Sequence, residues 1–456
     1  MFFKQFKVEG LGCLSYMIGC PLSRQAVVVD PKRDIDDYLQ TAAASGMTIT
    51  GIIDTHVHAD HISGAQELRA ATGAPIYMYH AAGVPYEHRS LREGDRLTVG
   101  KAVIECVATP GHTPHAVTLA VTDRARGSTP QMLLTGDLLF VGSIGRPDLA
   151  GGELLDEQVE NLYRSLHEKL GVFPDLVEIY PAHGEGSLCG SGISAKPSST
   201  LGFERATNPY FKLSFDEFKK TLTSSLPVRP KNFSHIISQN RQGPALVRNL
   251  PVPRRLTITE IKKALADHAV ILDIREAAAF GGAHIPGSIN VGFSPQSPTW
   301  LGMVVDPVAE LVIIASSLSN AQKAILDFRR AGYDRILGYH AGMNDWIFHG
   351  EQVGFLPQLS VHGLKEVLKK YPNHVVLDVR TPDEWAVGHI TGAVHVPLQQ
   401  VIEKGVDLSV DDHISVVCRT GYRANIAASV LKARGFKHVY TVIGGMTAWE
   451  KVAAGA

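Results

Sequence analysis

Thr55-His56-Val57-His58-Ala59-Asp60-His61 sets three histidines and one aspartate within six residues. Few solvated loops gather so many metal-ligating groups, so the stretch raises a metal site holding one ion or two. The chain around it reads as short strands mixed with helices. Ala26-Val-Val-Val-Asp30 and Thr50-Gly-Ile-Ile-Asp54 predict buried strands, the second running straight into the motif. Residues 62–71 predict a helix that Gly73 ends. Pro75-Ile-Tyr-Met-Tyr79 predicts another strand. Groups that follow such strands fall in loops, where a rigid scaffold commonly builds its active site.

Three further motifs join the first. They are Thr109-Pro-Gly-His112-Thr-Pro-His115, Leu134-Thr-Gly-Asp137-Leu138 and Tyr180-Pro-Ala-His183-Gly184. Each places a His or Asp beside glycine or proline, just after an apolar run. One alone carries little, because a lone histidine is more often a satisfied core or surface group. Four in this order predict a metal site assembled from loops distant in sequence.

A chain of 456 residues exceeds one ordinary core and predicts about two to four domains. With 45% hydrophobic and 20% charged residues it has the composition of a soluble globular protein. A net charge of −1 argues against a polyanion binder, so no nucleic-acid partner is expected. No stretch reaches the roughly 20 apolar residues of a membrane span, and the start MFFKQFKVEG lacks the apolar run of a signal peptide. A cytoplasmic protein without a membrane partner is the expectation. The five cysteines, 13, 20, 106, 189 and 418, form no CxxC pair, which disfavours a zinc ribbon or disulfide framework.

Between about 186 and 255 the pattern weakens. Residues 221–259 contain no acid but carry Arg229, Lys231, Arg241, Arg248, Arg254 and Arg255. This predicts a solvated linker, or a basic rim that attracts an anionic substrate. Beyond it lies an internal repeat. Ile271-Leu-Asp-Ile-Arg-Glu276 matches Val376-Leu-Asp-Val-Arg-Thr381, and Gly342-Met-Asn-Asp-Trp346 matches Gly445-Met-Thr-Ala-Trp449. The offsets, 105 from Ile271 to Val376 and 103 from Gly342 to Gly445, are the size of a domain rather than of a solenoid unit. Each copy alternates Val/Ile-rich strands with helices, which predicts a doubly wound parallel α/β sheet. Thr257-x-x-Glu260 predicts a capping box on the first helix.

Val416-Val-Cys418-Arg419-Thr420-Gly421-Tyr422-Arg423 runs from a strand into a helix starting near Ala424. The six residues from Cys418 to Arg423 could cradle the sulfur in backbone N–H groups. The helix N-terminus and two arginines add positive potential, which favours a thiolate or a bound anion. Cysteine-based phosphatases also close such a loop on arginine, but with a longer loop fitted to phosphate and an acid partner.

The N-terminal motifs, HxHxDH then GHT then GD then AH, resemble those of the metallo-β-lactamase superfamily. The resemblance implies an αββα sandwich over about residues 1–200, and the fold alone fixes no reaction. Glyoxalase II-like thioesterases use all these positions for two metals, commonly zinc. The ETHE1-like persulfide dioxygenases hold one ferrous iron, and by that resemblance its ligands are His56, His112 and Asp137, a two-histidine, one-carboxylate set. His58, Asp60, His61 and His183 then orient ligands, or hold a second metal in the thioesterase alternative. Gly145-Arg146-Pro-Asp-Leu149 is similar to the bacterial persulfide dioxygenases, with Arg146 a candidate substrate contact and an ion-pair brace its plainer role. Gly184-Glu185 stand where glutathione-using members carry Asp-Tyr. That departure favours coenzyme A or another low-molecular-weight thiol over glutathione. Cys189 is a candidate acceptor of sulfane sulfur, against an inert buried thiol.

The LDVR, GHI, CRTGYR and GGMTAW segments resemble the rhodanese family across residues 358–456. The resemblance implies Cys418 as the nucleophile and Arg419, Thr420, Gly421, Tyr422 and Arg423 as its anion-binding loop. Ala315-Ser-Ser-Leu-Ser-Asn320 aligns with that loop in the first copy and carries no sulfur, so residues 255–355 resemble an inactive rhodanese that serves as spacer or docking surface. The expected organisation is a metal domain over 1–250, the silent domain, then the active one. The whole resembles bacterial persulfide dioxygenase–rhodanese fusions. It implies one Fe(II) per chain, thiol persulfide, O2, sulfite and thiosulfate as small-molecule partners, a role in sulfide detoxification, and a homo-oligomer, since dimers are common among such enzymes.

Overall fold

The computed structural model describes residues 1–224, 226 and 228–454. Ser225 and Pro227 of the basic segment, and the last two residues of the final domain, lie outside the described residues. The chain divides into two compact units, Met1–Leu250 with Arg329–Gly332, and Pro251–Phe328 with Tyr333–Ala456.

In the first unit the strand pattern closes two six-stranded sheets. One runs Phe2–Lys7, Leu14–Cys20, Gln25–Val29, Thr48–Ile53, Ile76–Tyr79 and Arg89–Leu91 in spatial as in chain order. The other orders Ser199–Thr200, Glu178–Pro181, Met132–Gly136, Val117–Asp123, Ala102–Ala108 and Arg96–Val99. Leu14–Cys20 is buried along its whole length, because its two faces pack on different layers. Leu14, Tyr16 and Ile18 meet Ile104, Leu119 and Val121 of the opposite sheet. Met17, one position out of phase, points with Val28 and Ile52 to Tyr38 and Leu68 of the outer helices. On the far side Leu133 and Ile179 pack on Val159, Leu162, Phe218 and Leu222. Each such fully buried side chain contributes about 1.5–3 kcal/mol. The layering is α/β/β/α, as expected.

Two expectations shift. The helix expected over 62–71 is Ala65–Thr72, ended by left-handed Gly73 as the sequence suggests. It starts late because Ile62 and Ser63 still belong to the histidine loop, where the Ser63 hydroxyl bonds both oxygens of Asp54. The basic stretch is not a solvated linker. Phe215–Ser224 and Asn232–Gln242 are helices, the second burying Asn232, Phe233, Ile236 and Asn240 on one side.

The two copies in the second unit repeat one topology. Arg254–Arg255, Ile336–Ala341, Leu311–Ala315, Val270–Asp273 and Ile289–Asn290 form one parallel sheet. Gln358–Leu359, His438–Val442, His413–Val417, Val375–Asp378 and Val394–His395 form the other in the same order. The capping box at Thr257 and Glu260 forms as expected. The shared Asp-x-Arg is a buried brace. Arg275 Nη2 lies 2.6 Å from Asp273 and 2.7 Å from the Ala283 carbonyl. Arg380 Nη2 lies 2.7 Å from Asp378 and 2.7 Å from the Gly388 carbonyl. Each pair ties a strand end to the end of the next helix. Asp378→Ala would leave Arg380 buried without its counter-ion. We expect it to cost about 3–5 kcal/mol in denaturant unfolding of the C-terminal unit, whereas an Asp378→Ala, Arg380→Met double variant should recover part of that loss.

Candidate functional site

The metal motifs meet at one end of the strands. Residues Asp30, Thr55, His56, Asp137 and His183 all lie within three residues of a strand's C-terminal end. Parallel pairing sets Gly136 against Pro181, which brings Asp137 beside His183. The chain doubles back so closely that a Cβ on Gly145 would sit 1.9 Å from the Asp137 carbonyl oxygen. Only glycine permits this return.

Hydrogen bonding fixes the tautomers of two histidines. The Thr55 hydroxyl donates to Asp30 Oδ2 at 2.9 Å, so at 3.0 Å it accepts from His56 Nδ1. The Arg146 carbonyl can only accept, so His112 Nδ1 donates to it at 2.8 Å. Both Nε2 atoms therefore carry a lone pair. They point toward Asp137 Oδ2, at 3.8 Å from His56 and 3.2 Å from His112. All three atoms are buried and none makes a hydrogen bond. Burial lowers the pKa of both histidines, which keeps them neutral. Three inward-facing acceptors without a proton between them repel one another unless a cation lies among them. The donor set fits a metal ion.

The remaining candidates behave differently. His183 places Nδ1 2.6 Å from Asp137 Oδ1 and Nε2 2.8 Å from Asp60 Oδ2. Burial alone would lower its pKa, but these two carboxylates raise it well above the usual value. His61 Nδ1 bonds Asp60 Oδ1 at 3.0 Å. Asp60 thus lies between two rings as an ion-pair partner, while His183 Nε2 makes no hydrogen bond, so this group too could hold an ion. Nothing in the sequence motifs singles out Cys13, yet its Sγ joins them, 3.5 Å from Asp60 and 3.6 Å from His61. His58 turns its Nε2 to Asp30 at 3.1 Å and stands apart from the His56–His112–Asp137 group. His115 Nε2 accepts from the Val57 amide at 3.0 Å, and burial holds its pKa down to about 3.

Arg146 is corrected to a brace. Its side chain is 1% exposed and its guanidinium is committed to Asp148 at 2.6 and 2.7 Å and to the Leu188 carbonyl. The segment serves the site through its backbone, by holding His112. Cys189 is buried near Asp137 and His183, and burial pushes its thiol well above the ordinary value. That favours the inert-thiol alternative over a nucleophile. Asn240 of the helix Asn232–Gln242 was not foreseen. Its Nδ2 donates to the carbonyls of His58 and His61 at 2.9 and 2.8 Å, and its Oδ1 accepts from the Ser63 amide at 2.9 Å. Its place in the buried stripe with Phe233 and Ile236 was the available signal.

The second candidate site is the cysteine loop. Cys418 ends the strand His413–Val417, and the helix Tyr422–Ala433 follows. The Gly421 amide donates to Cys418 Sγ at 3.1 Å, at a backbone φ of +114° that favours glycine. The carbonyls of Cys418 and Arg419 are taken by the amides of Met446 and Thr447 at 2.8 and 3.0 Å. This leaves the amide side of the loop for the sulfur. Arg419 and Thr420 are exposed. Arg423, expected as an anion ligand, also anchors the loop, because Glu384 takes both its Nη atoms at 2.7 Å. Arg423 in turn holds Glu384 down to about 2. In the first copy the helix begins at Leu318, three residues after Ala315 rather than four, so the loop is shorter as well as sulfur-free.

A family model of the metallo-beta-lactamase superfamily matches residues 8–183. One of the rhodanese-like domain matches residues 257–349 and again 360–452. The persulfide dioxygenase ETHE1 of Bos taurus is 32% identical over 228 residues, 50% of this chain and 82% of that protein. A hydroxyacylglutathione hydrolase of a Polaromonas species is 36% identical over 173 residues, 37% of this chain and 61% of that protein. Among solved structures, a metallo-beta-lactamase from Staphylococcus aureus matches with a TM-score of 0.67 and 32% identity, covering 75% of this chain and 98% of that one.

Two substitutions test the two sites. Asn240→Ala strands three buried backbone groups, at about 1–3 kcal/mol each. We expect a lower melting temperature and reduced metal content after desalting. In the cysteine loop, a Cβ on Gly445 would sit 2.2 Å from the Cys418 carbonyl oxygen. Gly445→Ala should therefore lower sulfur transfer at least tenfold in a thiosulfate assay while metal content stays at the wild-type level.

Proposed function

The chain belongs to the ETHE1 persulfide dioxygenase family of the metallo-β-lactamase superfamily, with two rhodanese domains following, and from that premise we propose a bifunctional sulfur-oxidising enzyme. The first reaction is RSSH + O2 + H2O → RSH + HSO3− + H+. The second is transfer of sulfane sulfur from another persulfide to sulfite, giving thiosulfate and thiol.

The observation that carries the first reaction is the trio of unpartnered acceptors, His56 Nε2, His112 Nε2 and Asp137 Oδ2. We assign them as the holders of one ferrous ion. Such an ion, when bound, supplies electron exchange with O2 and a position for a persulfide sulfur. The chain's own contribution is to fix these groups. Thr55 and the Arg146 carbonyl lock the two rings, and complete burial of the three residues keeps bulk water from the donor atoms. Asp60 lies 3.0 Å from His61 and 2.8 Å from His183, an ion pairing that supports one ion rather than two, since a second ion would take these same groups as its ligands. The relative with persulfide dioxygenase activity is also matched over more of its length, 82%, than the hydrolase, 61%.

In the second reaction the Cys418 thiolate attacks the outer sulfur of RSSH. The S–S bond breaks, RSH leaves with the proton, and Cys418 holds a persulfide. Sulfite then attacks the outer sulfur, thiosulfate departs, and the Cys418 thiolate returns. The Gly421 amide supports the sulfur, and Arg419, the next residue along the chain from Cys418, is exposed to meet an incoming anion. Reversal, with thiosulfate as donor, follows the same path. Low-molecular-weight thiol persulfides, including those of glutathione and coenzyme A, are the substrate class. Sulfide detoxification is the role this pair of reactions suits.

One set of measurements tests this. Purified protein should contain one iron per chain and take up O2 with a thiol persulfide. Cys418→Ser should still take up O2, but sulfite should accumulate in place of thiosulfate. Two zinc ions per chain with thioester hydrolysis and no O2 uptake would refute the proposal in favour of the glyoxalase II-type alternative.

A further inference from the structure

The helix that follows Cys418 presents a polar stripe inside an otherwise apolar core. Tyr422, Asn425 and Ser429 lie at i, i+3 and i+7, one face of a helix. Each meets the silent rhodanese domain. The Tyr422 hydroxyl donates to the Gly292 carbonyl at 2.6 Å. Asn425 Nδ2 bonds Asn290 Oδ1, and the Asn290 amide donates to Ser429 Oγ at 3.0 Å. Asn290, Asn425 and Ser429 are all buried. Asn290 is in turn fixed within its own domain, where Nδ2 donates to the carbonyls of Asp273 and Arg275 at 2.7 and 2.9 Å. These are the residues at the Asp-x-Arg brace.

Polar groups buried between two domains cost free energy unless paired, and their directional bonds admit one register where apolar contacts would admit several. Tyr422 is the fifth residue of the six-residue loop that begins at Cys418, one position beyond the Gly421 amide that donates to the sulfur. Rotation or sliding of the helix would move that amide. The Tyr422 ring also lies against Gly292, where an added Cβ would sit 3.5 Å from Cε2, and its centroid is 6.2 Å from that of Trp300.

We propose that the silent rhodanese domain is the positioning template of the Cys418 loop, acting through Tyr422 as a positioning residue bonded to the Gly292 carbonyl. The role follows from Asn290 and Gly292 and needs no chemistry at Ala315. It rests on Cys418 being the sulfur-carrying nucleophile.

The test uses the full-length chain. Tyr422→Phe keeps the ring and removes the hydroxyl's bonds to the silent domain, at Gly292 and Ser294. It should lower kcat for thiosulfate-dependent sulfur transfer by about fivefold, the worth of one hydrogen bond, with KM for thiosulfate unchanged. The pH profile of Cys418 alkylation by iodoacetamide, followed by mass spectrometry, should move to higher pH. Gly292→Leu, made entirely in the silent domain, should push on the Tyr422 ring and reproduce both effects, whereas Gly292→Ala should match wild type. A Tyr422→Phe protein with wild-type kcat and alkylation profile overturns the proposal, whatever Gly292→Leu does. Cys418→Ser separates the two levels. If it retains sulfur transfer, the assignment of the nucleophile fails. If it abolishes transfer while Tyr422→Phe behaves as wild type, only the positioning role fails.

Discussion

The carboxylate of Asp137 does two opposite things with its two oxygens. Oδ1 accepts a 2.6 Å bond from His183, and Oδ2 faces two imidazole lone pairs with no proton among them. A buried carboxylate is costly by several kcal/mol unless paired. His183 supplies the pairing, and Asp60 in turn holds His183. The first half of the chain is arranged around this carboxylate. Two sheets must end at the same edge, the strand pairing must set Gly136 beside Pro181, and Gly145 must pass within reach of the Asp137 carbonyl. A one-residue slip between Met132–Gly136 and Glu178–Pro181 would turn Asp137 away from His183 and leave the buried carboxylate without that partner.

The sequence made the metal groups legible because their motifs are contiguous and each sits at a strand end. His56, His112 and Asp137 converge on one another, as do Cys13, Asp60, His61 and His183. What it hid were partners distant along the chain. Arg423 looked like a free cation because Glu384, thirty-nine residues away, showed no sign of facing it. Arg146 hid its partner less well, since Asp148 lies two residues on. The helix Asn232–Gln242 was obscured by the basic segment around it. Arg229, Lys231 and Arg241 drew attention to the solvent side, while the Phe233, Ile236 and Asn240 stripe held the real information. Cys13 was illegible, because nothing in Gly10-Leu-Gly-Cys13 points to a site more than forty residues away.

The two rhodanese domains show how little of that scaffold depends on the sulfur. Strand order, the Asp-x-Arg brace and the glycine turn that caps the loop strand persist in both: the Gly342 amide bonds the Ala315 carbonyl as the Met446 amide bonds that of Cys418. The difference that bears on the sulfur lies in one connection. With no sulfur to surround, the silent copy passes from strand to helix one residue sooner and without a left-handed glycine. A domain can thus lose its chemistry and keep its strand order, its Asp-x-Arg brace and a bond on the carbonyl that ends the loop strand. It also keeps Asn290 and the backbone beyond it available to a neighbouring helix.

The two candidate sites have opposite polarity, and this bears on how their chemistry would divide. The metal centre gathers acceptors: three unprotonated donor atoms, with the Asp60 carboxylate close by. The cysteine loop gathers donors: an amide on the sulfur, a helix N-terminus, and carbonyls turned away to Met446 and Thr447. An anion with several charged oxygens is poorly held among carboxylates and well held among N–H groups. If sulfite forms at the first site, the N–H donors of the second suit its capture. The two chemistries would then divide by donor type, acceptor atoms that hold a cation at one site and N–H groups that hold an anion at the other.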